Sequence, residues 1–387
     1  MESFDTIIVG AGLAGLQCAH LLASRGISVL LVDRKRSLQQ LIHTTGIFVR
    51  KTLEDFDIPD YCLGPVVRHV TLYSPALRAI ELVSAHDEFR IGKMGQLYDH
   101  YLNRGLRHGL QWMPGTSYLS HSIEARRLRV RLETQSQERV VEARYLIAAD
   151  GAQSRLAANL ALESNTEWII GVEKVFTGAG IEGPPRLHCF VDPQLAPGYI
   201  GWIAHDGEET HLGVAGYRAR FNPLASLNRL RTKTAHIVDL SEATEVEQRG
   251  GRIPIGGVLR HIANDHGLSI GDAAGAVSPL TAGGLDPCMR LSTFAAEVVA
   301  EFLRTGDARI LRSYSGERFR ARFASRIWAR RLASSVTNPA VIELGFLALA
   351  SPLLKPLARH VFFGPGSFPD VEPSFALANS SALKIDI

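Results

Sequence analysis

The sequence predicts an α/β fold built on a parallel sheet, with a second α+β unit inserted into it. Three observations carry that expectation. A β-branched run at the N-terminus passes into a glycine-rich turn and an apolar helix, and two distant strands end in Asp-Gly or Gly-Asp turns. Between those strands lie segments that alternate apolar and polar residues.

The first element is Thr6-Ile7-Ile8-Val9, with the composition of a buried parallel strand. It ends in Gly10-Ala11-Gly12-Leu13-Ala14-Gly15, after which Leu13, Leu16, Ala19, Leu22 and Ala23 recur at helical spacing. Gly26 closes the helix, and Ser28 to Val32 form a second strand ending at Asp33. Strand, glycine turn, helix, strand and acid is the context in which a G-x-G-x-x-G run binds a dinucleotide. Gly10 permits the tight turn, Gly12 lets backbone approach a pyrophosphate at the helix N-terminus, and Gly15 allows close helix–strand packing. The Asp33 carboxylate is placed to accept hydrogen bonds from a ribose diol. Arg34 and Lys35 follow it and suit a phosphate, so this Rossmann-like start leaves FAD and NAD(P) open.

Composition sets the limits. The 387 residues fit two interleaved domains, and 46% hydrophobic with 21% charged residues excludes wholesale disorder. A formal charge of +3 argues against nucleic-acid binding by the chain as a whole. Apolar stretches such as Leu344 to Leu354 are shorter than the ~20 residues of a membrane span, and no basic n-region precedes the first strand. Cys18, Cys62, Cys189 and Cys288 are far apart and read as reduced thiols of a cytoplasmic protein. The 14 histidines show no HExxH or similar spacing, so no metal site is expected.

Tyr145 to Ala149 is another strand, running into Asp150-Gly151 and then Ser154-Arg155. Leu268-Ser269-Ile270 leads into Gly271-Asp272-Ala273-Ala274-Gly275, then Pro279-Leu280-Thr281-Ala282-Gly283-Gly284-Leu285 and a helix. Leu291, Phe294, Ala295, Val298, Val299 and Phe302 make that helix's core stripe. These three segments, in this order, resemble the flavoprotein monooxygenase-like superfamily, and within it the geranylgeranyl reductase family, over about residues 4 to 305. The resemblance implies bound FAD, with NAD(P)H or another electron donor visiting transiently. It implies that Asp272 hydrogen-bonds the ribitol chain and that Ala273 and Ala274 bring N–H groups to the pyrophosphate. Pro279, Gly283, Gly284 and Leu285 would pass the flavin pyrimidine edge, and Asp150 would support the cofactor. The helix beginning near Leu285 would stabilise a reduced, anionic flavin with its positive end.

Leu41-Ile42-His43-Thr44-Thr45-Gly46 stands where the family carries a Cys- and Gly-rich loop beside the flavin ring, which makes Thr45 and Gly46 cofactor contacts. His43 there is a candidate proton donor or covalent attachment point. Tyr98-Asp99-His100-Tyr101-Leu102 resembles the family's Phe-Asp-x-x-Leu helix, with Gly95 in place of the usual arginine and Lys93 as the nearby substitute. Arg155 stands two positions before the usual arginine, which is Ala157 here. Pro197 to His205 keeps Trp202 of the family's Pro-Gly-Gly-Tyr-x-Trp-x-Phe-Pro motif but departs from its tyrosine and final proline; Tyr199 and Trp202 are candidate catalytic residues on the substrate side. No Trp-x-Trp-x-Ile-Pro run appears, which argues against halogenation.

Leu128 to Ala148 reads as a β-meander, and Leu187–Val191, Gly198–Ile203 and His211–Ala215 as an antiparallel sheet over the flavin. Arg318, Arg322, Arg326 and Arg330 recur every four residues beside Phe319, Phe323, Ile327 and Trp328. On one helix they form either a solvated face or a surface for an acidic protein partner or an anionic membrane, making the chain cytoplasmic with peripheral attachment. Beyond Gly364 a Pro-, Gly- and Ser-rich tail is expected.

The domain reading assigns residues 1–62, 88–165 and 266–305 to the FAD-binding domain, 63–87 and 166–265 to the substrate domain, and 306–387 to a helical C-terminal region and tail. The expected function is reduction of a carbon–carbon double bond in an apolar, isoprenoid- or lipid-like substrate by flavin hydride transfer. The alternatives are hydroxylation of an aromatic or lipid substrate, modification of a partner protein's side chain, and non-catalytic flavin binding.

Overall fold

The computed structural model describes residues 1–124, 127–179 and 181–363, and the tail expected beyond Gly364 lies outside them. Two seven-stranded sheets and a three-stranded one organise the chain. The first sheet runs Gln111–Pro114, Val29–Asp33, Ser3–Val9, Gln137–Ala148, Arg127–Thr134, Thr116–Glu124, with Gly267–Ser269 also paired to Gln137–Ala148. Its first four strands and Gly267–Ser269 are mutually parallel, whereas Thr116–Glu124, Arg127–Thr134 and Gln137–Ala148 pair as the expected antiparallel meander. The long strand Gln137–Ala148 serves both parts: its first half pairs in the meander and its second half enters the parallel sheet.

Register decides where function sits. Val9 pairs with Val32 on one side and Ala148 on the other, and Ala148 pairs with Ser269. The residues that follow, Gly10, Asp33, Asp150 and Gly271, therefore emerge together at the carboxyl ends of adjacent parallel strands. Strand order reverses at that edge, which is where open α/β sheets bind ligands. Helices Leu13–Ala23 and Leu285–Thr305 pack on one face over a core that includes Ile8, Leu16, Leu22, Phe294 and Val298.

The second sheet has the order Thr244–Pro254, Trp168–Thr177, Glu209–Gly216, Gly201–His205, Arg186–Phe190, His69–Tyr73, Ala79–Val83. It is mixed rather than wholly antiparallel, because Arg186–Phe190 pairs parallel with His69–Tyr73. The chain between those two strands crosses the first sheet, the kind of long connection that parallel pairing requires. Ile47–Val49, Phe89–Gly92 and Leu63–Val67 form the small sheet between the two large ones in sequence.

The C-terminal region departs from the predicted stripe. The helix is broken into Gly316–Arg320, a tight turn at Ala321–Phe323 and Ala324–Ser335. Phe319 and Phe323 are buried, Trp328 is 68% exposed, and Arg330 is only 4% exposed. Arg330 donates to the carbonyls of Pro279 and Gly198 at 3.1 and 3.0 Å and stacks against Tyr199 and Tyr217. Arg326 donates to Ser278 Oγ at 3.2 Å. The repeat of four is therefore no single solvent face. A guanidinium can replace water with several fixed acceptors, and here Arg330 uses that capacity to lock the helix onto the 278–284 turn. Pro339–Leu349 and Lys355–Phe363 then pack on the 69–83 hairpin through Phe346 and Ala358.

Candidate active site

The glycine turn is shaped by contact and by space. Gly10 has φ +108°, and a Cβ there would lie 2.2 Å from the Ala149 carbonyl oxygen. A Cβ on Gly15 would lie 1.9 Å from the Gly10 carbonyl oxygen, so helix and strand meet closer than any side chain permits. Gly12 differs: a Cβ there meets nothing within 4 Å. Its bare Cα faces the open side of the turn, the surface a pyrophosphate needs. Leu13 and Ala14 open the helix, which has no side-chain cap. Asp33 Oδ2 accepts from Ala11 N at 2.7 Å and Oδ1 from Lys35 N at 2.8 Å, fixing the carboxylate beside the turn.

Asp272 completes the far wall. Burial lifts its carboxyl from the usual carboxylate range to about 6. A half-buried carboxylate short of donors fits a polyhydroxyl chain, whose O–H groups supply what water would have supplied. The helix Leu285–Thr305 starts at Gly284 without a side-chain cap, which leaves its N-terminal dipole available. The preceding turn is closed by Ser278 N on the Gly283 carbonyl at 3.0 Å, and Ala282 is held at φ 50°. The residues present fit FAD along this line of sites.

Asp150 acts locally. Its carboxylate accepts from Ser154 Oγ, from Arg155 N at 2.8 Å and from Leu156 N at 3.2 Å, capping the helix Arg155–Asn159. Asn165, which sequence reasoning missed, donates to the carbonyls of both Ala152 and Asp272 and so ties two of the three motifs together. Lys93, the expected stand-in for the missing arginine, is paired with Glu208 instead.

The substrate sheet faces the Thr44-Thr45-Gly46 loop with a buried polar cluster that sequence reasoning also missed. Glu173 accepts from Thr45 Oγ1, from Trp202 Nε1 at 3.0 Å and from His211 Nδ1 at 3.2 Å, with Arg249 Nη1 at 3.5 Å. Arg249 also donates to the Thr44 carbonyl at 2.9 Å. Trp202 thus orients a carboxylate, while Tyr199 donates to the Thr281 carbonyl and braces the 278–284 turn. His43 is exposed and stands outside this cluster. Burial works against charge here, yet Glu173 and Asp206 hold the His211 imidazolium up to about 9. Against the same penalty, His211, Thr45 and Arg249 hold the Glu173 carboxyl below its usual range. Asp206, Glu209 and His211 also bring ligand-type atoms within 4.8 Å of one another. The available signal was Glu173 itself, a carboxylate on the same strand face as Ile169, Gly171 and Val175.

Comparison with known proteins agrees with the fold. The FAD binding domain family matches residues 3–57 and 102–329. A digeranylgeranylglycerophospholipid reductase of Methanopyrus kandleri is 28% identical over 368 residues, 90% of each chain. A geranylgeranyl bacteriochlorophyll reductase-like protein of Thermoplasma acidophilum has the same fold, with TM-score 0.81 at 17% identity over 95% of this chain and 98% of that one. The p-nitrophenol 4-monooxygenase of Pseudomonas putida superposes with TM-score 0.71 at 14% identity, covering 94% of this chain and 99% of the other.

Proposed function

The chain belongs to the FAD binding domain family and is an FAD-dependent oxidoreductase, and from that premise we propose that it reduces a carbon–carbon double bond in an apolar, isoprenoid- or lipid-like substrate. The observation that carries this reading is the correspondence, over 90% of both chains, with a reductase named for a geranylgeranyl lipid. Gly10, Gly12, Leu13, Ala14 and Gly15 would hold the pyrophosphate, with Asp33 and Arg34 toward the adenosine side. Asp272, with Gly271 and Ala273, would hold the ribitol chain. Thr45, Gly46, Pro279, Gly283, Gly284 and Leu285 would border the ring.

When bound, FAD supplies hydride, recharged by NAD(P)H or another transient electron donor. The chain supplies the rest. The uncapped helix at Leu285 stabilises negative charge beside the ring. The sheet bearing Trp202 and Glu173 closes the substrate side and holds the Thr44-Thr45-Gly46 loop in place.

An apolar lipid substrate also needs a way in from its own phase. Leu344, Leu347 and Leu357 are exposed on the C-terminal helices and Leu353 in the turn between them, with Arg359 exposed and Lys355 half-buried nearby. We assign this face, rather than the arginine repeat, to contact with an anionic lipid surface. No helix of the described residues is long and apolar enough to cross a membrane.

The deciding experiment is anaerobic. Holoprotein with photoreduced FAD is mixed with a geranylgeranyl-bearing glycerolipid, and the product is read by mass. Gain of hydrogen at a double bond with stoichiometric flavin oxidation supports the reductase. Oxygen insertion that appears only on admitting air identifies a monooxygenase. No substrate change under either condition leaves modification of a partner protein or non-catalytic flavin binding.

A further inference from the structure

Reduction of a carbon–carbon double bond breaks one π bond and forms two C–H bonds, so it consumes a hydride and a proton. Hydride is the cofactor's contribution. The proton needs a source in the protein, and the sheet on the substrate side carries one in its buried Glu173–His211 cluster.

We propose that Glu209, Asp206, His211, Glu173 and Thr45 form a proton path from the outer edge of the substrate sheet to the flavin. The inference rests on the reading above, which places the ring beside the Thr44-Thr45-Gly46 loop. Glu209 is half-buried at the start of its strand, and Asp206, His211 and Glu173 behind it are buried. Asp206 Oδ1 is held by the N–H groups of Glu208 and Glu209 at 2.9 and 2.6 Å, which leaves Oδ2 facing His211 Nε2 at 3.8 Å. His211 Nε2 is buried and makes no hydrogen bond, so a small rotation of Asp206 completes the link. On the other side His211 Nδ1 meets Glu173 Oε1 at 3.2 Å, and Glu173 Oε2 accepts from the Thr45 hydroxyl. Each member has an atom that can give a proton and one that can take it.

The movement balances. As one alkene carbon takes hydride, the other takes the Thr45 hydroxyl proton, while the ionised Glu173 takes the proton that His211 carries at rest and passes it to the Thr45 oxygen, which leaves Thr45 a hydroxyl and Glu173 a carboxylate again. His211 then regains a proton from solvent through Asp206 and Glu209. Two electrons leave the reduced flavin, and the electron donor restores them. The charged and titratable groups that face His211 are Glu173, Asp206, Glu209, Arg249 and, behind Arg249, Glu247. This arrangement favours a resident proton over a metal ion: the ligand types suit a cation, but one would have to displace the proton on His211.

The test uses holoprotein and two readouts. The first is the midpoint potential of bound FAD from about pH 7 to about pH 10, a span that brackets the His211 proton loss. Wild type should change slope near pH 9. His211→Gln should lose that change, and Asp206→Asn should move it to lower pH, because one of the charges holding the proton is gone. A wild-type potential with no change of slope, or one unaltered in His211→Gln, overturns the path. If His211→Gln does not fold, an unmoved slope change in Asp206→Asn has the same force.

The second readout is single-turnover reduction of the geranylgeranyl lipid. Thr45→Val should slow product formation about a hundredfold at equal FAD occupancy, whereas Thr45→Ser, which restores the hydroxyl, should stay within about threefold of wild type. Thr45→Val at wild-type speed overturns the path. If wild-type protein reduces no such lipid, the functional reading fails, and the potential measurements still decide the path.

Discussion

The side-chain amide of Asn165 donates to the carbonyl oxygen of Asp272 at 2.8 Å, and the same nitrogen reaches the carbonyl of Ala152 at 3.0 Å. One residue thereby sets the distance between the Asp150 turn and the Asp272 turn, segments more than a hundred positions apart in sequence. Asn165→Leu keeps the volume, takes the side-chain donor from the Ala152 carbonyl and leaves the Asp272 carbonyl with only the Gly275 N–H. It should lower unfolding free energy by about 1–3 kcal/mol, measured by urea titration, and should weaken FAD binding because the Asp272 turn loses its support. Unchanged stability and unchanged FAD affinity together would show that the two turns hold their positions without it.

Gly12 and Asp272 test the cofactor line directly. A Cβ at Gly12 meets no protein atom within 4 Å, so in Gly12→Val the fold should survive while the branched side chain fills the space of the pyrophosphate. Asp272→Ala removes a charge-assisted hydrogen bond worth about 1.5–3 kcal/mol. Both variants should purify with little FAD and wild-type circular dichroism. Asp272 also sets a pH dependence: its carboxyl titrates at about 6 without ligand, and ribitol hydroxyls favour the ionised form. FAD affinity should therefore fall as pH drops through 6, and the fall should be absent in Asp272→Asn. Retention of FAD by both Gly12→Val and Asp272→Ala would move the cofactor elsewhere.

His211 predicts the opposite sign at alkaline pH. Its folded-state pKa is raised to about 9, against about 6.5 in an unfolded chain. The stabilisation is complete below the unfolded value, and declines as pH rises toward and through the folded one. Thermal stability should thus decrease between about pH 6.5 and pH 9, by more in wild type than in His211→Gln. Parallel pH profiles for the two proteins would mean that His211 carries no extra proton in the folded state.

Much of the cofactor half was legible because it follows backbone rules. Gly10, Gly12 and Gly15 are required by turn geometry and close packing, and parallel strands announce themselves by apolar runs such as Thr6 to Val9. The substrate half was harder to read. Glu173, the Asp206–His211 hairpin and Arg249 come from three separate stretches, and only sheet pairing makes them neighbours. The arginine repeat misled for a related reason: a four-residue period specifies one face only along an unbroken helix, and here the helix breaks at Ala321–Phe323. Arg330 then points inward, to carbonyls that no periodicity could reveal.

The exposed C-terminal leucines carry the last prediction. Leu353 is 90% exposed, and Leu344, Leu347 and Leu357 are each more than half exposed. Burying such side chains in a lipid interface gains about 25 cal/mol per Å² of apolar surface, and each nearby basic residue adds about 1 kcal/mol on an anionic leaflet. The two contributions respond differently to salt, because only the charge term is screened, over a Debye length of about 8 Å at physiological ionic strength. Wild-type protein should sediment with phosphatidylserine-containing vesicles, lose part of that binding at high salt, and retain the remainder. Leu353→Glu with Leu357→Glu should abolish the salt-resistant part and leave FAD content unchanged, since neither residue approaches the cofactor line. Arg318→Glu with Arg322→Glu serves as the comparison, since both arginines are exposed in the repeat that the sequence singled out. If this pair abolishes vesicle binding while the leucine pair leaves it intact, the lipid-facing surface is the arginine helix after all. If wild-type protein ignores anionic vesicles even at low salt, neither surface meets a membrane.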